Sequence, residues 1–279
     1  MDAAVRALAV YPLKGAAGLP VDAAEVRVTG LATDGVADRA WMAVDPSGVF
    51  VTQREHPRFA LVRTAIDAGR VVLSAPGVAS ITLEADEQQP SRPVRVWQSQ
   101  VRGFDAGDGA AAWLSDRLGT PVRVVRFDAA HPRPCNPAYA GDSGAEVRFA
   151  DGYPVLVIGQ ASLDHLNAKL AARGVAPLPM NRFRPSLVLD GLEPHDEDHL
   201  ESIAIGDVVL RPVKPCTRCQ VTTVDQSTGR AGDEPLVTLS TYRRDERFDG
   251  ITFGMNAIVT AGAGATIAVG DRAACTLRF

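Results

Sequence analysis

Residues 214–229 read KPCTRCQVTTVDQSTG, and this stretch carries two thiols, Cys216 and Cys219, three residues apart. Arg218 lies beside the second thiol, so the pair is electropositive and suits a soft metal or redox chemistry. The Val- and Thr-rich continuation predicts a strand over 220–224, which places the pair at the mouth of a strand. A structural zinc site needs four ligands, and the sequence has no second C-x-x-C pair. The pair alone therefore leaves metal binding and redox chemistry open.

The bulk composition is that of an ordinary globular protein, with 279 residues of which 46% are hydrophobic and 22% are charged. A net charge of −4 and the lack of a basic run argue against a nucleic-acid partner. The N-terminal MDAAVRALAVYPLKG has neither a basic start nor a long apolar stretch. We therefore expect no signal peptide, no membrane association and a cytoplasmic location. The irregular spacing of the four cysteines does not suggest a disulfide framework.

Short β-type runs, punctuated by Gly and Pro, dominate the first hundred residues and favour a small barrel or sandwich. Helices are predicted over 107–118 and over 162–173, the second capped by the serine at its start. The Pro-, Ala- and Gly-rich stretch 131–144 is the expected boundary loop. The predicted fold is mostly β (α+β), with a small N-terminal β domain over 1–125 packed on a β-barrel over 140–279. Strands are predicted at 5–11, 24–28, 41–44, 61–64, 71–73, 81–83, 94–96, 122–127, 154–158, 187–189, 203–205, 208–210, 220–224, 257–259, 266–269 and 275–277.

Four further segments carry groups that could meet at one anionic ligand: YPLKG (11–15), DRAW (38–41), FADGYP (149–154) and NRFRP (181–185). Lys14 precedes a glycine turn, and Arg39 stands at the start of a strand. Asp151 lies in a turn whose glycine can expose backbone N–H groups. Arg182 and Arg184 are two residues apart, so on a strand both would face the same side. Forked donors and backbone N–H groups suit a phosphate, and the sulfur of the C-x-x-C pair suits a soft metal.

In these segments the sequence resembles the MOSC family, and more closely its two-part members with an N-terminal β-barrel domain, such as the mitochondrial amidoxime-reducing component and its bacterial relatives. The C-x-R-C-x-x-T-T-V-D-x-x-T-G stretch is the most specific match. The resemblance implies a MOSC N-terminal β-barrel domain over 1–125 and a MOSC domain over 140–279. The matching segments follow the family order between residues 11 and 257: YPLKGAAGLPV, GLATDGVADRAWM, FADGYPVLVIGQASL, NRFRPSLVL, KPCTRCQVTTVDQSTG, EPLVTLSTYR and FGMNA.

By position, the resemblance implies a bound molybdenum cofactor (Mo-molybdopterin), with Cys219 as the metal ligand and Asp151 beside the metal. These two are the predicted catalytic residues. Lys14 and Arg39 match residues that hold the pterin, and Arg184 matches an arginine on its phosphate. Pyridoxal phosphate is not expected. The predicted cofactor-binding residues are Lys14, Gly15, Arg39, Gly152, Tyr153, Arg182, Arg184, Thr217, Arg218, Cys219 and Asn256.

Three positions depart from the family pattern. Gly15 replaces a serine of the mitochondrial proteins, so only its backbone could contribute. Asn256 stands where those proteins have tyrosine, and Ser186 stands where asparagine is common.

The resemblance implies a molybdenum-dependent oxidoreductase that reduces N-hydroxylated small molecules such as amidoximes and hydroxylamines. The sequence lacks a ferredoxin-type cysteine run and a dinucleotide fingerprint, so electrons are expected from a separate ferredoxin- or flavin-type partner. The alternative is a non-catalytic carrier of the cofactor or of sulfur. A third hypothesis is a zinc site that joins the thiol pair to His195 and His199, although their acidic surroundings favour a solvated loop. Cys216 is interpreted as structural rather than as a ligand.

Overall fold

The computed structural model describes residues 1–278 and confirms a mostly β fold with a few short helices. The strands are β1 (Asp2–Val10), β2 (Leu13–Lys14), β3 (Leu19–Val21), β4 (Ala23–Arg27), β5 (Gly30–Thr33), β6 (Val36–Ala37), β7 (Trp41–Val44), β8 (Arg63–Asp67), β9 (Arg70–Ser74), β10 (Ile81–Thr82), β11 (Arg92–Val96), β12 (Ser99–Asp105), β13 (Arg123–Phe127), β14 (Arg133–Pro134), β15 (Glu146–Val147), β16 (Val155–Gly159), β17 (Leu187–Asp190), β18 (Leu200–Ile205), β19 (Val208–Thr217), β20 (Arg244–Asp245), β21 (Gly250–Ala261), β22 (Thr266–Ala268) and β23 (Arg272–Leu277). The α-helices are α1 (Gly107–Leu118), α2 (Pro137–Ala140), α3 (Gln160–Ala172) and α4 (Leu236–Ser240). Short 3-10 turns cover Pro57–Leu61, Met180–Arg182, Asp196–His199, Gln220–Thr223 and Glu246–Phe248.

A closed seven-strand barrel forms within residues 1–278, in the order β16, β17, β1, β23, β18, β19 and β21, and β21 pairs back with β16. All neighbours are antiparallel except β16 and β17. Apolar residues recur with period two along these strands, so one set fills the interior. Closure leaves the barrel without an open hydrogen-bonding edge. The interior is built around Val5, Leu8, Val157, Leu189, Ile203, Val208, Leu210 and Ala257.

The first strand of the chain belongs to this barrel, although the other six strands of the barrel come from the C-terminal half. β1 pairs with β17 and β23, and β4 pairs with β22. Segments from both sides of the predicted boundary therefore pair in two sheets, the barrel and the sheet of β22, β4, β5 and β6. The boundaries at 1–125 and 140–279 stay a prediction about the linear chain.

A second sheet, ordered β11, β12, β13, β7 and β2, forms the centre of the N-terminal half. Its buried side chains Trp41, Ala43 and Val124 pack in one cluster with Leu114 of α1 and with Phe59. α1 covers the predicted 107–118 and ends where Gly119 takes the left-handed region at φ 69°. Within residues 1–278, none of the helices has the length and apolar character that a bilayer crossing requires.

The prediction of a strand over 220–224 is wrong, because Gln220–Thr223 forms a 3-10 turn. The Thr222 hydroxyl donates to the Cys219 carbonyl at 3.0 Å, and the Thr223 hydroxyl donates to the Gln220 carbonyl at 2.9 Å. Such local bonds let threonine hold a turn despite its preference for strands. The thiol pair therefore lies at the end of a strand, since β19 includes Cys216 and ends two residues before Cys219.

Two further local predictions need correction. Ser162 is buried inside α3, where its hydroxyl donates to Glu197 at 2.7 Å, and the helix begins at Gln160. Arg182 and Arg184 do not lie on a strand: the first ends a 3-10 turn and the second has φ 55°. Both side chains nevertheless line the same cavity.

Candidate functional site

A cavity opens between the N-terminal sheet and the end of β19, with about 980 Å³ of empty space including its open mouth. Clefts between packed units are frequent ligand sites. Every residue predicted for the site lines this cavity, although the segments are far apart in sequence: Lys14, Gly15, Arg39, Asp151, Gly152, Tyr153, Arg182, Arg184, Thr217, Arg218, Cys219 and Asn256.

Asp151 and Lys14 form an ion pair at the cavity wall. Lys14 Nζ donates to Asp151 Oδ1 at 2.6 Å, and the lysine is 8% exposed. Burial lowers the pKa of Lys14 despite the opposing effect of Asp151. Desolvation would raise the pKa of Asp151, but the charge and hydrogen bond of Lys14 hold it well below its usual range. At neutral pH the carboxylate is therefore ionised and accepts hydrogen bonds.

Two guanidinium groups stack on one buried tyrosine. The Arg39 and Arg184 guanidinium carbons lie 4.1 Å and 4.4 Å from the Tyr11 ring centroid. The tyrosine is 2% exposed, and its hydroxyl donates to the Pro185 carbonyl at 3.0 Å. Arg39 also pairs with the buried Asp38. Burial and the nearby Arg39 lower the pKa of Arg184 to about 10.

Arg182 and Arg218 hold the backbone around the thiols. Arg182 donates to the Thr223 carbonyl at 2.8 Å, and Arg218 donates to the Phe253 and Phe183 carbonyls at 2.8 Å and 2.9 Å. Arg182 Nε and Arg218 Nη2 are buried without a hydrogen-bond partner within residues 1–278. Buried donors that lack an acceptor are unfavourable. An anion bound in the cavity would provide the missing acceptors.

Charge and backbone exposure both favour an anionic ligand. Asp151 is the only carboxylate among the described residues that line the cavity. A Cβ on Gly152 would meet no atom within 4 Å, so its backbone faces open space. Such a wall of cations and open backbone suits phosphate oxygens next to a thiol. The lining cations are Lys14, Arg39, Arg54, Arg182, Arg184 and Arg218.

Comparisons with known proteins identify the family of this chain. Residues 2–121 match the MOSC N-terminal beta barrel domain, and residues 144–274 match the MOSC domain. Mitochondrial amidoxime-reducing component 1 of Homo sapiens is 34% identical over 247 residues, which are 86% of this chain and 72% of the relative. The chain belongs to the MOSC family. Mitochondrial amidoxime reducing component 2 of Bos taurus is 33% identical over 245 residues, which are 86% of this chain and 72% of that relative. Mitochondrial amidoxime-reducing component 1 of Danio rerio is 35% identical over 247 residues, which are 86% of this chain and 74% of that relative.

In this MOSC protein the two thiols differ in environment. Cys219 is exposed, whereas Cys216 is half-buried and burial raises the pKa of its thiol. The zinc hypothesis finds no support, because residues 1–278 contain no cluster of three or more His, Cys, Asp or Glu side chains that could hold a metal. His195 instead contacts His165 at 3.1 Å between ring nitrogens. The exposed thiol is therefore the better placed ligand for a group in the cavity.

Several cavity residues of the MOSC protein were missed by the sequence analysis. Arg54 Nη1 lies 3.9 Å from Cys219 Sγ, and its guanidinium lies 4.6 Å from the Trp97 ring centroid. Phe50 contacts Trp97 with ring centroids 4.9 Å apart. Tyr11, in the YPLKG segment, does not line the cavity but supports two of its arginines, a role that the sequence does not indicate. Aromatic residues in short turns carry no periodic signal, so only the tertiary structure reveals these contacts.

Proposed function

We propose that this chain is a molybdenum-cofactor-dependent reductase of N-hydroxylated small molecules such as amidoximes and hydroxylamines. The observation that carries the proposal is an exposed thiol, Cys219, in a cavity lined by six cations and one carboxylate. The family relatives named amidoxime-reducing components support the substrate class. The cofactor would supply the two-electron chemistry that cleaves the N–O bond.

The residues of the cavity fit this cofactor. Cys219 would hold the metal, since soft metals prefer thiolate sulfur. Arg39 and Arg184, fixed on Tyr11, would bind the phosphate, and the open backbone at Gly152 would add donors. Gly15 would contribute through its backbone alone.

Reduction of an N–O bond to an amine and water consumes two electrons and two protons, and the chain offers a proton path. The Lys14 ammonium is one hydrogen bond of 2.6 Å from Asp151 Oδ1. The charge and hydrogen bond of Lys14 keep Asp151 ionised, because they hold the pKa of that carboxyl well below its usual range. Asp151, whose side chain is 74% exposed, lies between Lys14 and the open cavity. We therefore assign to Asp151 the relay of protons from water to the substrate, and to Lys14 the positioning of its carboxylate.

A separate ferredoxin- or flavin-type protein would deliver the electrons. Purified holoprotein should then reduce a test amidoxime with an artificial dye donor, and should not do so with NADH unless a reductase is added. Rapid turnover with NADH alone would contradict the need for a partner. The cytoplasmic location stays a prediction, since the relatives above carry a mitochondrial name.

Metal content tests the ligand assignment. Cys219→Ala protein purified from a cofactor-producing host should lose its molybdenum and its activity. Cys216→Ala, the matched control three residues away, should keep most of both, because its thiol is half-buried and its pKa is raised. The assignment is reversed if the Cys216 variant loses the metal and the Cys219 variant keeps it.

A second candidate function is a non-catalytic carrier of the cofactor or of sulfur. The exposure of Cys219 favours it, because an exposed thiol can exchange its ligand with another protein. Full molybdenum loading without turnover by any donor, or a persulfide on Cys219, would support the carrier instead of the reductase.

A further inference from the structure

A hairpin of the N-terminal sheet places an aromatic wall at the mouth of the cavity. Trp97 lies in the two-residue turn between β11 and β12, and its side chain lines the cavity together with Phe50. The two rings meet edge to face at 4.9 Å and 60°. The indole Nε1 donates to Asp151 Oδ1 at 2.9 Å, which joins the hairpin to the turn that carries Asp151.

The backbone at this turn is unfavourable for tryptophan. Trp97 has φ 54°, a region that bulky side chains rarely adopt. Two-residue hairpin turns usually place Asn, Asp or Gly in this conformation. The residue is also 44% exposed, so it adds little to the core. A strained and exposed aromatic residue beside a candidate site points to a role in function rather than in folding.

The mouth of the cavity offers a ligand two groups, the Trp97 ring and the second carboxylate oxygen of Asp151. The Trp97 ring already packs against a flat, N–H-rich group, because the Arg54 guanidinium lies 4.6 Å from its centroid. Asp151 uses Oδ1 for Lys14 and Trp97, and its Oδ2 has no hydrogen bond within the part of the chain that the structure describes. The ionised Oδ2 is therefore free to accept an N–H or O–H group from a ligand in the cavity.

We propose that Phe50, Trp97 and Asp151 form a substrate subsite that selects N-hydroxylated compounds with a flat, unsaturated body over small aliphatic ones. This inference rests on the reductase function proposed above. The rings of Phe50 and Trp97 pack against the flat body, while Asp151 Oδ2 accepts a hydrogen bond from the N-hydroxylated head. The subsite thus orients the head group toward Cys219, whose sulfur lies 3.9 Å from the Arg54 guanidinium that the same tryptophan contacts.

The test measures binding to the oxidised holoprotein without an electron donor, so no turnover occurs. Benzamidoxime and acetamidoxime share the head group and differ in the aromatic ring. Trp97→Gly should weaken benzamidoxime binding about 10-fold, the value of one aromatic contact, and acetamidoxime binding by less than about 2-fold. Trp97→Phe lacks the indole N–H but keeps a ring, so it should retain most of the preference. Trp113→Phe, on α1 outside the cavity, is the matched control and should bind both compounds as the wild type does.

Folding does not confound this test, because glycine relieves the positive φ at the turn. Trp97→Gly should unfold at a temperature close to that of the wild type. Equal loss for both compounds, loss for neither, or no binding of either compound to the wild type would overturn the subsite. Selective binding without turnover by any donor would support the subsite and remove the reductase proposal. Turnover with unchanged selectivity in Trp97→Gly would support the reductase proposal and overturn the subsite.

Discussion

The cation-rich cavity predicts that an inorganic anion stabilises the cofactor-free protein, and that Arg184→Gln removes about half of this effect. Arg184 lies 4.4 Å from the Tyr11 ring centroid, and burial and Arg39 lower its pKa to about 10. Arg184 Nη1 also donates to the Ala16 carbonyl at 2.7 Å. The variant loses this contact together with the desolvated charge, so the shift caused by the anion is measured for each protein against its own Tm without the anion.

The magnitude follows from linkage between binding and folding. A charge-assisted hydrogen bond contributes about 1.5–3 kcal/mol, so the variant should bind pyrophosphate about 10-fold more weakly or worse. At a pyrophosphate concentration of about 100 times the wild-type Kd, the wild type gains about 2.7 kcal/mol and a 10-fold weaker variant gains about 1.4 kcal/mol. At roughly 2 °C per kcal/mol, these gains raise the Tm by about 5 °C and about 3 °C.

The assay is thermal unfolding of cofactor-free protein in pyrophosphate and in chloride at matched ionic strength. Arg6→Gln is the matched control, since Arg6 is half-exposed, pairs with Asp190 and does not line the cavity. It should show the full wild-type shift. Equal shifts in wild type and Arg184→Gln, or no specific shift in either, would refute the reasoning.

Two predictions concern the scaffold. Burial raises the pKa of Glu197 from 4.5 to about 7, so the folded state holds a proton that the unfolded state releases. The free energy of unfolding should fall by up to about 3 kcal/mol between pH 4.5 and 7, and Glu197→Gln should flatten this slope in urea titrations; an unchanged slope would count against it. Gly15 has φ 93°, and a Cβ there would lie 2.6 Å from the Phe59 ring. Gly15→Ala should therefore destabilise the protein by about 1–3 kcal/mol more than Gly35→Ala, whose Cβ would meet no atom within 4 Å; equal losses in urea unfolding would show that the ring moves aside.

Much of the candidate site was predictable because its chemistry resides in short, ordered segments. The thiol pair, the aspartate turn and the arginines were all identified from sequence, and the structure brings them to one cavity. The mostly β fold was equally readable, since period-two runs and Gly or Pro turns mark strands regardless of their partners. α1 was predicted with its observed bounds because its apolar face and its terminal glycine agree.

The sequence did not predict which strands pair with each other. β1 has the pattern of a strand, but nothing in residues 2–10 indicates that it pairs with β17 and β23, far along the chain. Strand propensity also misled at 220–224, where threonine hydroxyls hold a 3-10 turn. Both failures have one cause: local preferences are small, and tertiary contacts decide between them.

The distribution of backbone strain separates what the fold requires from what the site requires. Within residues 1–278, seven non-glycine residues have positive φ, and three of them, Arg39, Trp97 and Arg184, line the cavity. None of the three side chains favours that conformation, which costs about 1–2 kcal/mol for an ordinary residue. The cost is offset by contacts that only the folded protein provides, including the contacts of both arginines with the Tyr11 ring and the hydrogen bond from Trp97 to Asp151. A glycine would avoid this strain at each position, so these three side chains are the first to test for a role in ligand binding.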